Sequence, residues 1–346
     1  MSSSFKLVGF AIRLAQESGF HRESRASDSQ EVSSLKRRIW WTLFARERFM
    51  AICQGLPCLI DQEYCDIDRP TLQDFPSYRT LQTQIFLQSI TLAEIVAHTN
   101  KQLIISRRAG NVLPSAAITT KLVAWLTSLP AGLQLSISAA YTGTFDRDVH
   151  LLHLPYLNAI TLIYLYTSND QLPQASVAAV LAAGCTTRIL KDLLYSERAI
   201  MLPEETGWYA ATAALALAHV RALDILAAHV TEDIATLQTF LGRSAQTWHG
   251  SSVLQAGVNR ALAKVPRPHI DTTQDTLTPV PNTLQDLCAG DGVAWPAFFP
   301  FATMHTSRLV ETILVECQST FPQLWLSTVP GGFDVFLDGL EMAAQS

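Results

Sequence analysis

The chain has 346 residues, 48% of them hydrophobic and 16% charged, with 25 Lys and Arg against 30 Asp and Glu for a net charge of −5. A charged share this far under the roughly 25% usual in soluble proteins argues for extensive burial and excludes a disordered tail protein. The mild acidity argues against a freestanding nucleic-acid binder, which carries a basic stripe.

Val8, Ala11, Ile12, Leu14 and Ala15 recur at helical spacing, and Gly19 stands where a left-handed cap ends that first helix. Asp28-x-x-Glu31 predicts a capping box opening a second helix, which runs to about Cys53 and stops near Gly55-Leu-Pro57. Residues 55–76 combine prolines with a cluster of acids and read as an ordered loop. Helical patterns follow over about 77–108, 115–128, 147–168, 174–197, 204–230, 232–242 and 243–264. This predicts a helical core over 1–265, a Pro/Thr-rich connection over 266–283, and a C-terminal helical segment over 284–346 that packs on the core. No repeat of 20–50 residues and no period-two strand series appears, so the fold class is all-α, a multi-helix bundle.

The most apolar stretch, Ala210 to Val230, is interrupted by His219, Arg221 and Asp224 and reads as a buried helix rather than a membrane span. The cysteines at 53, 58, 65, 185, 288 and 317 form no Cys-x-x-Cys pair, and the first ten residues carry no secretory pattern. Reduced thiols in an intracellular compartment are therefore expected.

On the second helix, Leu35, Ile39, Leu43, Phe49 and Met50 share one broad face, with Lys36, Arg37, Glu47 and Arg48 roughly opposite. Arg38 and Arg46 fall inside the apolar sector, where a bare charge costs several kcal/mol or more. The following loop offers Asp61, Glu63, Asp66 and Asp68. The expectation is that it folds back and that Asp61, Asp66 and Asp68 form ion pairs with Arg38 and Arg46.

This segment resembles the fungal-specific transcription factor domain, the middle homology region of Zn2Cys6 binuclear-cluster regulators. The family pattern appears as Ala11-Ile-Arg-Leu-Ala15, Gly19-Phe-His-Arg22, Glu31, Lys36-Arg-Arg-Ile-Trp-Trp41, Leu43-Phe44, Glu47-Arg48, Gly55-Leu-Pro57 and the acidic run from Ile60 to Pro70. Leu151-Leu-His-Leu-Pro-Tyr156 and Gly242-Arg-Ser-Ala-Gln-Thr-Trp248 look like later family helices. Phe20 replaces the family Leu, Glu47 the usual Asp, and Leu56 the usual Arg. Family members carry a zinc cluster, a linker and further helices ahead of the Gly-Leu-His-Arg helix. Because the chain starts at that helix, the expectation is a truncated regulator without a zinc cluster and without direct DNA binding. It then acts through protein contacts or a small-molecule effector, in the nucleus by resemblance, in a fungal pathway such as secondary metabolism. An alternative is that Met1 is not the true start. Without the upstream helices the chain either exposes an apolar patch, and so forms a homodimer or joins a full-length regulator, or has repacked.

Other chemistry has little support. His150-x-x-His153, with Asp146 or Asp148, has metal-ligand spacing but lies in a family helix with a packing role. His219 and His229 sit in an apolar helix as core histidines. There is no Gly-x-Ser-x-Gly elbow, dinucleotide fingerprint or P-loop, and Asp66-Ile-Asp68 is not a terpene-cyclase motif. No metal and no cofactor are expected. The alternative to a regulator is a repurposed helical pocket that guides a cofactor-free cyclisation or isomerisation, Diels–Alderase-like, of a terpenoid or polyketide, in the cytoplasm. Such a reaction needs shape and one or two donors, for which Arg46, Arg48, Tyr209, Trp248 and His249 are the candidates.

Overall fold

The computed structural model describes residues 3–23, 28–76, 80–137, 145–166, 174–196, 202–264, 287 and 295–320. Their helices are α1 (Ser3–Glu17), α2 (Gln30–Gln54), α3 (Thr80–Ala109), α4 (Ser115–Ser128), α5 (Arg147–Ile163), α6 (Val177–Tyr195), α7 (Glu205–Val220), α8 (Asp224–Ser244), α9 (His249–Ala263) and α10 (Arg308–Thr320). The fold is all-α, with one antiparallel ribbon of two residues a side, β1 (Leu165–Tyr166) on β2 (Gln174–Ala175). The connection over 266–283 lies outside the described residues, as does most of 284–294 and all of 321–346.

Local chemistry accounts for the ends of α2. Ser29 caps its start, the hydroxyl accepting from the Val32 N–H, and Gly55, at φ +62°, closes it by donating to the carbonyls of Ala51 and Ile52. Asp28, expected to be that cap, instead binds the Lys36 ammonium at 2.5 Å. Gly19, at φ +75°, turns the chain out of α1. In α1 itself Phe5, Ile12 and Ala15 face inward, whereas Leu14 stands with Leu7 and Phe10 on a solvent-exposed stripe.

The pattern over 204–230 breaks at 221–223, giving the antiparallel neighbours α7 and α8, and no boundary falls at 232. Val220, Leu223 and Leu226 are all buried around that turn. Its sequence contains neither Gly nor Pro, so a window of apolar spacing reads straight through it. The alanines of α7 let α5, α6, α8 and α9 approach closely. A Cβ at Gly207 would lie 2.7 Å from the short Ser251 side chain's hydroxyl, so a larger residue there would force a shift where α7 meets α9.

One connected core runs from Ile12 in α1 to Cys317 in α10 and includes Trp295, Phe298, Val310 and Ile313. The Tyr156 hydroxyl donates to the Phe298 carbonyl at 2.9 Å, tying α5 to this late segment. Cys53, Cys58, Cys65 and Cys185 are free thiols, but Cys317 is disulfide-bonded, against the expectation of reduced cysteines. Among the described residues no helix is long and apolar enough to cross a membrane.

Candidate functional site

The acidic loop does fold back on α2, through different partners from those expected. Asp74 Oδ1 accepts from Arg37 Nη2 at 2.6 Å, Arg37 Nε at 3.0 Å and the Ser34 hydroxyl at 2.7 Å, while Oδ2 accepts from the Thr71 N–H at 2.7 Å. Burial works to raise the Asp74 carboxyl, but the Arg37, Thr71 and Ser34 bonds outweigh it and hold the pKa below the usual range. Arg38 donates to the Ser34 carbonyl at 3.3 Å and lies 5.7 Å from the centre of the Phe75 ring. Arg46 pairs with Glu205 of α7 at 2.9 Å. Asp61 caps the short turn at Gln62–Tyr64, accepting from the Glu63 N–H. Asp66 accepts from the Glu23 N–H at 2.9 Å and faces Arg22 at 3.7 Å. At Asp68 it is the backbone carbonyl that acts, taking the Trp41 indole N–H at 2.9 Å.

The expected pairing of Arg38 and Arg46 with Asp61, Asp66 and Asp68 is therefore replaced. The reason is that α2 has no single buried face. It packs on α1, α3, α7 and the Leu72–Asp74 turn, so side chains all round its second half are enclosed. Leu35, placed on the apolar face by its spacing, is exposed, while Glu47 and Arg48, placed opposite, are 0% and 3% exposed.

Glu47 and Arg48 form a buried lock between α2 and the chain that follows it. Glu47 Oε2 accepts from Arg48 Nη1 at 2.9 Å and Oε1 from the Leu59 N–H at 2.7 Å. Arg48 Nη2 donates to the Ile60 carbonyl at 3.1 Å, and its guanidinium carbon lies 3.3 Å from the centre of the Phe44 ring. Burial pushes the Glu47 carboxyl up and the Arg48 guanidinium down, each opposed by its partner's charge.

On α2, α3, α5 and α7, together with Pro203, lies a solvent-open cleft of about 300 Å³. Each helix contributes one face at helical spacing: Thr42, Ala45, Arg46 and Phe49 from α2; Gln82, Ile85, Phe86 and Ser89 from α3. The α5 wall is Asp148, Leu151, Leu152 and Pro155, and the α7 wall is Glu205, Thr206 and Tyr209. Arg46–Glu205 is the polar feature of this wall. Glu205 and Tyr209 are both buried, and the Glu205 Oε2 and the Tyr209 hydroxyl, each closed off from solvent, have no hydrogen-bond partner among the described residues. Burial raises the Glu205 carboxyl, with Arg46 opposing it, and raises the Tyr209 phenol well above its ordinary value.

Of the sequence candidates, Arg46 and Tyr209 thus meet in the cleft, whereas Arg48 belongs to the lock. Trp248 donates its indole N–H to the Leu202 carbonyl at 2.9 Å and pins the segment entering α7. His249 is exposed at the start of α9. Sequence reading missed Glu205 and Asp74. A Thr-x-x-Asp capping signal at Thr71–Asp74 marked the latter, but nothing local marked Glu205 as the partner of Arg46. The histidines are held by backbone: His150 Nδ1 lies 2.6 Å from the Asp146 carbonyl and His153 Nε2 lies 2.8 Å from that of Leu133. His219 Nδ1 lies 3.0 Å from the Ala175 nitrogen. Among the described residues no group of three His, Cys, Asp or Glu could hold a metal ion.

Residues 2–129 match the fungal specific transcription factor domain. An uncharacterized transcriptional regulatory protein of Schizosaccharomyces pombe is 26% identical over 168 residues, covering 46% of this chain and 21% of that protein. Cutinase transcription factor 1 alpha of Fusarium vanettenii is 34% identical over 97 residues, covering 25% of this chain and 11% of its own length. The acetamidase regulatory protein of Aspergillus fumigatus is 26% identical over 203 residues, covering 55% and 25% respectively. The matched stretches thus span a quarter or less of these relatives. No solved structure matches the chain significantly. The family match contains the Gly19–Arg22 turn, the Trp40–Trp41 pair, the Glu47–Arg48 lock and the Arg46 side of the cleft, so it is in residues 2–129 that this chain is similar to the fungal specific transcription factor domain.

Proposed function

We propose that the chain regulates transcription in a fungal pathway, in the nucleus, without reading DNA itself, through protein contacts and a small-molecule effector received in the cleft. The observation that carries this reading is the Arg46–Glu205 pair: it joins the family-matched segment to α7 and forms a wall of the cleft, so an occupant acts on the junction between them. The basic run of α2 is engaged internally, Lys36 by Asp28 and Arg37 by Asp74, which supports the absence of a phosphate-tracking surface. Protein contact has support in α1, where Leu7, Phe10 and Leu14 are 68%, 66% and 48% exposed along one stripe. A templated cyclisation calls for a closed chamber around the reactant. A solvent-open cleft of about 300 Å³, at the bottom of the range for small-molecule sites, favours the regulator.

The test is to fuse the chain to a heterologous DNA-binding domain above a reporter in fungal cells and, separately, to run gel shifts with the unfused chain. A reporter response with no DNA shift at about 0.15 M salt is the expected result. A silent reporter, or DNA binding by the unfused chain at that salt, overturns the proposal.

A further inference from the structure

We propose that the outer face of α3 and α4 is a docking surface for residues 333–342 of the same chain, whose acids meet Lys101, Arg108 and Lys121. The charge of this face is uncompensated. From 95 to 145 the sequence contains no Asp or Glu, although the whole chain carries 30 of them. His98, Lys101, Ile105 and Arg108 follow helical spacing on α3 and are all exposed, so they line one stripe about 15 Å long at about 1.5 Å per residue. Exposed Lys121 of α4 stands beside it. Burial first, then the charges of Lys121 and Lys101, hold the His98 imidazole below its ordinary pKa, and no carboxylate opposes them. Other cations are answered in place, Arg37 by Asp74, Arg69 by Glu94 and Lys191 by Glu232. Lys101, Arg108 and Lys121 have no such carboxylate among the described residues. Ile105, 46% exposed, sits between Lys101 and Arg108, so the stripe suits an acidic partner with an apolar side. The chain carries one. In its last residues Asp334, Asp338 and Glu341 recur at i, i+4, i+7, and Phe333, Phe336, Leu337 and Leu340 at i, i+3, i+4, i+7. No Lys or Arg follows Arg308, so no neighbour in sequence neutralises those acids. The tether suffices. The turn Trp295–Phe298 packs on α4, which brings the late chain to this side of the bundle. Residues 321–332, extended at about 3.3–3.6 Å each, span about 40 Å, against a radius of gyration of about 20 Å for a domain of this length.

Docking on this face is independent of the cleft and its effector, and the test reads proximity alone. An equal mixture of nitrogen-15-labelled and unlabelled full chain is treated with a water-soluble carbodiimide and digested for mass spectrometry. The reagent joins a lysine amine to a carboxylate as an amide and takes up the water as its urea. Lys36–Asp28 at 2.5 Å and Lys191–Glu232 at 3.0 Å are the internal controls. Cross-links from Lys101 or Lys121 to Asp334, Asp338 or Glu341 are expected, each within a single isotopic species. Ile105→Glu with Arg108→Glu keeps both lysines and changes only exposed side chains, so the thermal midpoint should hold while the yield of these cross-links falls about fivefold. Chymotrypsin cleavage after Phe333 and Phe336 should quicken about fivefold in that variant, and equally in Asp334→Asn with Asp338→Asn and Glu341→Gln. Joined controls with no link from Lys101 or Lys121 to the three acids overturn the proposal. So do links of mixed isotope, which place the segment on a second copy, and so does a cleavage rate unchanged in both variants.

Discussion

Truncating one member of the Glu47–Arg48 lock should expose how much of the fold depends on it. Glu47→Ala strands a guanidinium that Phe44 and the Ile60 carbonyl keep out of water, and it deprives the Leu59 N–H of its acceptor. Breaking a buried pair costs about 3–5 kcal/mol, against a total stability of about 5–15 kcal/mol for a typical domain. Arg48→Ala strands a carboxylate instead, and a carboxylate can take up a proton. Its folded pKa then lies above the unfolded value, so the variant loses stability as pH rises through the carboxylate range and regains it toward pH 5. The guanidinium left by Glu47→Ala has no such escape, and its penalty should be level with pH. The assay is urea unfolding of both single variants and of Glu47→Leu with Arg48→Met, at pH 5 and pH 8. The double variant should lose about 2 kcal/mol or more less than the summed singles. Single losses below about 1 kcal/mol, or additivity within about 0.5 kcal/mol, would refute the idea that the two charges act as one buried unit.

Burial also sets a pH response at His153, whose pKa it pushes down to about 4, with the Leu133 carbonyl pulling upward and His150 downward. The unfolded imidazole binds a proton from about pH 6.5 downward while the folded one stays neutral, so its contribution is full above 6.5 and is lost by about 3 kcal/mol as pH falls toward 4. Asp233, raised by burial to about 7, slopes the opposite way over the same window. The difference between wild type and His153→Gln in urea midpoint against pH therefore carries the test. Arg46→Ala leaves the buried Glu205 carboxylate unpaired. Because the arginine is 41% exposed, the loss should be nearer about 2 kcal/mol than the full buried-pair value, with most of it recovered in Arg46→Ala with Glu205→Gln, read by thermal melts. Leu7→Glu with Phe10→Glu should leave stability within about 0.5 kcal/mol, since both are exposed, as read by urea unfolding.

The all-α class, the Gly55 stop of α2, the limits of α4 and the return of the loop over residues 55–76 were legible in the sequence, because caps and helical periodicity act within a few residues. So was the run from Gly19 to Pro70 that carries the family likeness. The choice of partners was not. Whether Arg46 meets Asp61 or Glu205, and whether Arg37 or Arg38 takes the loop carboxylate, depends on which neighbour stands on each side of α2. That helix is enclosed by α1, α3, α7 and the Leu72–Asp74 turn together. A projection with one apolar sector cannot represent such surroundings, so Glu47 and Arg48 look solvated on the wheel and are buried in the fold. The cleft likewise exists only where four separate helical faces converge. Local chain chemistry decides where a helix begins and ends. Long-range packing decides which of its charges lose water, and with them where a ligand can be held.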